Sequence, residues 1–119
     1  MNDRASRRYR KEILDAMEYI NANMNRKVTL KEIADSIGMN ESSLSRMFKS
    51  ETGVNLNYYI NEKKMKKAME LLSSESSMIK DVAAAIGMDD QLYFNKVFKK
   101  YYNVSPSEFK KKLHPDTEE

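Results

Sequence analysis

LeuLysGluIleAla at 30–34 recurs as IleLysAspValAla at 79–83, and IleGlyMet at 37–39 recurs as IleGlyMet at 86–88. MetPheLys at 47–49 returns as ValPheLys at 97–99. The offset is 49 residues up to Met88 and 50 from Phe94 onward, so the second copy carries one extra residue in its first half. A repeat of this length is one supersecondary unit used twice. Each copy reads as helix, tight turn, helix, a unit whose second helix can enter a DNA groove.

Local signals define the first copy. ThrLeuLysGlu at 29–32 is a capping box, with the Thr29 hydroxyl over the third amide and Glu32 reaching back. Leu30, Ile33, Ala34 and Ile37 form one apolar face, and Gly38 stands where the helix must stop in a left-handed conformation. Asn40 caps the next helix, which runs to about Thr52, ends at Gly53 and buries Leu44, Met47 and Phe48. Upstream, residues 7 to about 24 place Tyr9, Ile13, Met17, Ile20 and Met24 on one stripe, and AsnArgLys at 25–27 ends that helix.

Downstream, Asn55 caps a longer helix reaching about Leu72, with Leu56, Tyr59, Ile60, Met65, Ala68 and Leu72 inward. SerSerGluSerSer at 73–77 is a short connector. The second copy predicts a helix from about Met78 to Ile86 that stops at Gly87, then a helix capped by Asp89 that reaches about Tyr102. Phe94, Val97, Phe98 and Tyr101 line its buried side. Asn103 takes the place of Gly53, as the residue that best tolerates a left-handed backbone after glycine. SerProSerGlu at 105–108 is another capping box, with proline at the first helical position, and the last helix ends near Leu113. The expected organisation is all-α: a first helix-turn-helix subdomain at 1–54, a linker helix at 55–72, a second subdomain at 73–114 and an acidic tail at 115–119, about seven helices in all.

Composition agrees with helices and narrows the chemistry. Three glycines and two prolines in 119 residues leave little material for hairpins, and nine methionines supply flexible, helix-tolerant core filling. The absence of cysteine excludes disulfides, thiolate metal sites and cysteine nucleophiles. The basic N-terminus has no apolar run behind it and does not read as a signal peptide. No stretch approaches the roughly 20 apolar residues of a membrane span. A cytoplasmic protein without metal or cofactor is expected. Net charge is +3, but the three acids of the tail mask an excess of 21 basic over 15 acidic residues in the rest. Such an excess points to a polyanion only if the cations share a face.

They do share one. With Leu44, Met47 and Phe48 buried, Ser42, Ser45, Arg46 and Lys49 face outward at i, i+3, i+4 and i+7. In the second copy Gln91, Leu92, Asn95, Lys96 and Lys99 do the same. Arginine fits the O6 and N7 of guanine, asparagine or glutamine fits adenine, and serine bonds either base class. Lys49, Lys99 and Lys100, farther along each helix, suit phosphates, which position a protein without reading sequence. On one helix alone such residues are ordinarily a solvated face, but two helices behind the same Ile-Gly turn make that account a double coincidence. The intervening helix, a strut of roughly 25 Å, permits the two reading helices to lie about one DNA turn, roughly 34 Å, apart. One monomer could then read two successive major-groove segments of double-stranded DNA.

From about Ile13 to Leu113 the chain resembles the DNA-binding domain of AraC/XylS-family transcriptional regulators. The resemblance rests on LeuLysGluIleAla…IleGlyMet, LeuSerArgMetPheLys…GluThrGly, Tyr59 with Ala68 and LeuLeu at 71–72, and TyrPheAsnLysValPheLysLys…ValSerProSerGluPhe. It implies two homeodomain-like helix-turn-helix subdomains joined by a long helix in a bacterial transcription regulator. It also implies Ser42, Ser45 and Arg46 as base-reading residues of the first recognition helix and Gln91, Leu92, Asn95 and Lys96 of the second, matching the stripes above. RNA polymerase is the implied further partner. Lys96 stands where the family commonly has arginine, Lys64 replaces a frequent arginine in the linker helix, and Met88 a frequent aromatic. Family members usually carry a receiver or effector-binding domain ahead of this one, so the output domain of a larger regulator is expected.

Enzymatic readings find little support. The single histidine, His114, lies beside Pro115 without a partner base or nucleophile nearby in sequence. Glu12, Asp15 and Glu18 read as the solvated side of the first helix. A helical protein-interaction module is the rival from another class, with LysLysMetLysLys at 63–67 suited to an acidic partner. Steep salt dependence distinguishes DNA binding from it.

Overall fold

The computed structural model describes residues 8–115, which form seven helices and no strand. They are α1 (Lys11–Ala22), α2 (Leu30–Ile37), α3 (Glu41–Thr52), α4 (Leu56–Leu72), α5 (Ile79–Ala85), α6 (Gln91–Tyr102) and α7 (Pro106–Leu113). The chain divides into two compact units: residues through Asn23 with Val28–Ile60, and Met24–Lys27 with the chain from Asn61 onward. The acids of the expected tail, Asp116, Glu118 and Glu119, lie outside the described residues.

In the first unit α2 packs on α1 and α3. Ile13, Ala16 and Ile20 of α1, Ile33 and Ala34 of α2, and Leu44 and Phe48 of α3 are buried together with Leu56, Tyr59 and Ile60 of α4. Phe48 and Tyr59 meet edge to face, ring centroids 5.1 Å apart, a geometry that aromatic quadrupoles favour. The expected capping box is present: Thr29 Oγ1 accepts from Glu32 N, and Glu32 Oε1 accepts from Thr29 N at 2.9 Å. Asn40 Oδ1 accepts from Ser43 N and Asn55 Oδ1 from Tyr58 N, each at 2.8 Å. The first helix, however, begins at Lys11 and not near residue 7, and it ends at Ala22. The reason is tertiary. Glu51 accepts from Arg10 N at 3.0 Å and pairs with its guanidinium at 2.8 Å, holding Arg10 extended at φ −61°, ψ 155°. Ala16 is buried within the stripe while Met17 is only half-buried.

In the second unit α6 packs on α5 and α7. Its core joins Met65, Ala68 and Leu72 of α4 to Val82, Ala83, Ile86 and Met88, and to Phe94, Val97 and Phe98 of α6. Two boundaries differ from expectation. α5 is one residue shorter at each end, and the cap of α6 is Asp90 in place of Asp89: Asp90 Oδ1 accepts from Leu92 N at 3.0 Å and Tyr93 N at 3.3 Å. Two residues, Met88 and Asp89, separate Gly87 from its cap where Met39 alone separates Gly38 from Asn40, so the extra residue of the second copy lies in the turn. Burying Phe94, Val97 and Phe98 sets the helix register, and that register makes Asp90 the cap.

α6 ends at Asn103, the only non-glycine residue with positive φ (65°) among those described. α7 then starts from the Ser105–Glu108 capping box. Glu108 accepts from Ser105 N at 2.9 Å. That bond and the Ser105 hydroxyl, helped by Lys99 and Lys112, hold its carboxyl below the ordinary value of 4.5. A carboxyl with a lowered folded-state pKa adds stability above its unfolded-state value and loses it as pH falls through the folded one. Stability of the second unit is therefore expected to decline with acid below about pH 4.5, partly through Glu108. Glu108→Gln keeps an acceptor at the box but removes that part of the slope, measurable as the pH dependence of the urea midpoint. An acid limb of the same steepness in both proteins would show that the box is not formed in solution.

Candidate nucleic-acid interface

Each unit presents the helix that follows its Ile-Gly turn. On α3, Leu44 and Phe48 are buried and Met47 is half-buried, which leaves Ser42, Arg46 and Lys49 exposed and Ser45 half-buried. On α6, Phe94, Val97 and Phe98 are buried while Gln91, Leu92, Lys96, Lys99 and Lys100 are exposed. Among the described residues no ion pair engages Arg46, Lys49, Lys96, Lys99 or Lys100. Cations held in no ion pair are available to phosphates or base edges, although Lys99 also acts electrostatically on Glu108.

Asn95 sits differently. It is half-buried, and its Oδ1 is fully buried with no hydrogen-bond partner among the described residues. A bidentate contact to adenine uses both carboxamide atoms, and this rotamer does not present both. A side-chain rotation must therefore accompany any such contact. Tyr93, next to Leu92, is 49% exposed and was not singled out by the periodicity, because its neighbour Phe94 anchors the stripe.

Lys64 is the residue that periodicity alone left unread. It is only 4% exposed, and its ammonium donates to the carbonyls of Met24 (3.3 Å), Arg26 (2.8 Å) and, closest, Ile86. Three acceptors match the three donors of an ammonium group. Burial, and secondarily the Arg26 guanidinium, lower its pKa from the usual lysine value. The lysine thus secures the 24–27 segment and the end of α5, which lead into the turn before α6. The sequence did contain the signal: Ile60, Lys64, Ala68 and Leu72 recur at i, i+4, i+8 and i+12, which puts a lysine on a buried stripe. Lys110 plays a similar part, donating to the carbonyls of Glu75 (3.0 Å) and Ser77 from a buried position on α7. His114 Nε2 lies 3.1 Å from the Ser73 carbonyl, so it tethers the same connector. Among the described residues no group of three or more His, Asp or Glu side chains could hold a metal ion, and no helix is long and apolar enough to cross a membrane.

Comparison with known proteins agrees with this geometry. The family of helix-turn-helix domains matches residues 33–112. The chain is 31% identical over 99 residues to the lactose operon transcription activator of Staphylococcus xylosus, covering 83% of this chain and 36% of the relative. It is also 31% identical over 98 residues to the xylose operon regulatory protein of Escherichia coli K12, covering 82% of this chain and 25% of that protein. The chain thus spans only about a quarter to a third of these curated relatives. Among solved structures, the C-terminal domain of AraT, a response regulator from Geobacillus stearothermophilus, superposes with a TM-score of 0.86 at 30% identity, covering 94% of this chain and 95% of that one. With two turn-linked helix pairs, their outward cations and these relatives, the chain belongs to the helix-turn-helix family of AraC-type DNA-binding domains found in transcriptional regulators.

Proposed function

We propose that this DNA-binding domain reads an asymmetric duplex site as a monomer, with α3 and α6 entering successive major-groove segments. The observation that carries the proposal is the pair of helices α3 and α6, each with one buried apolar stripe and an opposite stripe of exposed cations and polar groups. Ser42, Ser45 and Arg46 read bases in the first unit, and Gln91, Leu92, Asn95 and Lys96 in the second. Lys49, Lys99 and Lys100 hold phosphates. Because tandem units in one chain need no palindrome, the site lacks twofold symmetry. We further propose that the domain acts in the cytoplasm as the output segment of a longer regulator that contacts RNA polymerase. The short span of the chain on its relatives and the likeness to a response regulator's C-terminal domain support this.

Selection of bound duplexes from random DNA, followed by footprinting, tests the proposal. Protection of two adjacent major-groove segments by the monomer is expected. A single protected segment, or a palindromic site requiring two copies, overturns it.

Arg46 is the only arginine on either outward face. Arg46→Ala should cost about 1–3 kcal/mol on the selected site and relax preference at one base pair. Lys99→Ala should instead weaken selected and random DNA alike and lower the slope of log affinity against log salt by about 0.9. Equal losses for Arg46→Ala on both kinds of DNA would make Arg46 a phosphate contact.

A further inference from the structure

We infer that α6 recognises the C5-methyl group of a thymine through Leu92, an inference that rests on the DNA-reading role proposed above. Leu92 is 79% exposed, the most exposed large apolar side chain among the described residues. Its chain neighbour Tyr93 is 49% exposed. Both lie in the first turn of α6, just past the Asp90 cap, where a recognition helix brings its side chains to base edges.

A lone exposed leucine on a soluble protein is ordinary. This one is not placed at random. It shares its stripe with Asn95, Lys96 and Lys99, at i+3, i+4 and i+7, so the surface carrying the cations also carries the apolar spot. α3 has no counterpart: Leu44 and Phe48 are buried, Met47 is half-buried and its outward positions are Ser42, Ser45 and Arg46. The two units therefore present different chemistry to the groove.

A leucine side chain has no donor or acceptor, so it cannot read an N7, an O6 or an exocyclic amine. The one apolar feature on a major-groove base edge is the thymine methyl group. Seating Leu92 against a cytosine or purine edge would desolvate polar atoms without replacing their hydrogen bonds, which is unfavourable. Leu92 thus favours thymine both by contact and by exclusion. Leu92 then contributes a preference for an A·T pair in the second unit, and Arg46 a preference for a G·C pair in the first.

Deoxyuridine scanning tests this. In a duplex obtained by selection, each thymine of the footprint is replaced singly by deoxyuridine, which removes the methyl group and keeps the pairing. Removing one buried methyl should weaken wild-type binding about fourfold at one or two positions. Leu92→Ala should bind the thymine duplex more weakly and lose nothing further on uracil at the same position. Alanine is a strong helix former at an exposed site, so the circular dichroism of this variant should match wild type. No uracil-sensitive position, or equal sensitivity in wild type and Leu92→Ala, overturns the methyl contact while leaving DNA reading in place. Failure to select any preferred sequence overturns the DNA-reading proposal itself.

Discussion

Phe98→Ala is expected to destabilise the second unit by about 3–5 kcal/mol, the range for removing a large aromatic ring from a core. Phe98 is fully buried. Its ring lies 4.9 Å from Tyr102 and 5.8 Å from both Phe94 and Phe109, in tilted or edge-on contacts. The cavity left by alanine would open among α6, α7 and the residues of α4 and α5 that share the core, and helices so interlocked cannot collapse into it. Urea denaturation followed by circular dichroism would read the loss. Hydrogen exchange would place it: amides of α5, α6 and α7 should lose protection, and those of α2 and α3 should keep it. A loss below about 1 kcal/mol would mean that the core repacks freely, contrary to the usual density of protein interiors.

Gly87→Ala should be the most damaging of the glycine substitutions, at about 2–5 kcal/mol, combining left-handed backbone strain with overpacking. Gly87 has φ +78°, and a Cβ built there would stand 2.5 Å from Arg26 C and Cα and 2.8 Å from Arg26 N. The obstruction is main chain, which cannot rotate away as a side-chain tip would. Moreover, Arg26 is held in place by the hydrogen bond from Lys64 to its carbonyl. Gly38 (φ +73°) and Gly53 (φ +85°) meet nothing within 4 Å, so alanine at either should cost only the left-handed conformation, about 1–2 kcal/mol. Thermal midpoints of the three variants compare the sites directly. Equal losses at Gly38 and Gly87 would show that the 24–27 segment does not pack against the second turn in solution.

The contrast between these glycines separates what is local in the chain from what is tertiary. That each of the three stops a helix is legible locally; for Gly38 and Gly53 the helix also begins at a side-chain cap, Thr29 or Asn40, whereas α5 begins at Met78 without one. That Gly87 alone must also be small depends on a residue 61 positions earlier in the chain, which no periodicity reveals. The turn before α6 shows the same division. Asp89 and Asp90 are equally good caps by residue type, and only the register of Phe94, Val97 and Phe98 in the core makes Asp90 the cap.

By itself the sequence determined the helices, most of their caps and most of the outward positions, because these depend on interactions within about four residues of each other: capping hydrogen bonds, left-handed stops and the 3.6-residue period. Ser42, Arg46, Gln91, Lys96 and Lys99 could be singled out on that basis, and all five are exposed. The tertiary structure alone decided what each side chain does once neighbours from distant segments crowd it. It turned Lys64 from a linker-helix cation into a clasp on three carbonyls and drew the Oδ1 of Asn95 inward. Local spacing can mark Lys64 as lying on a buried stripe, but its carbonyl partners come from segments tens of residues away and leave no trace in that spacing.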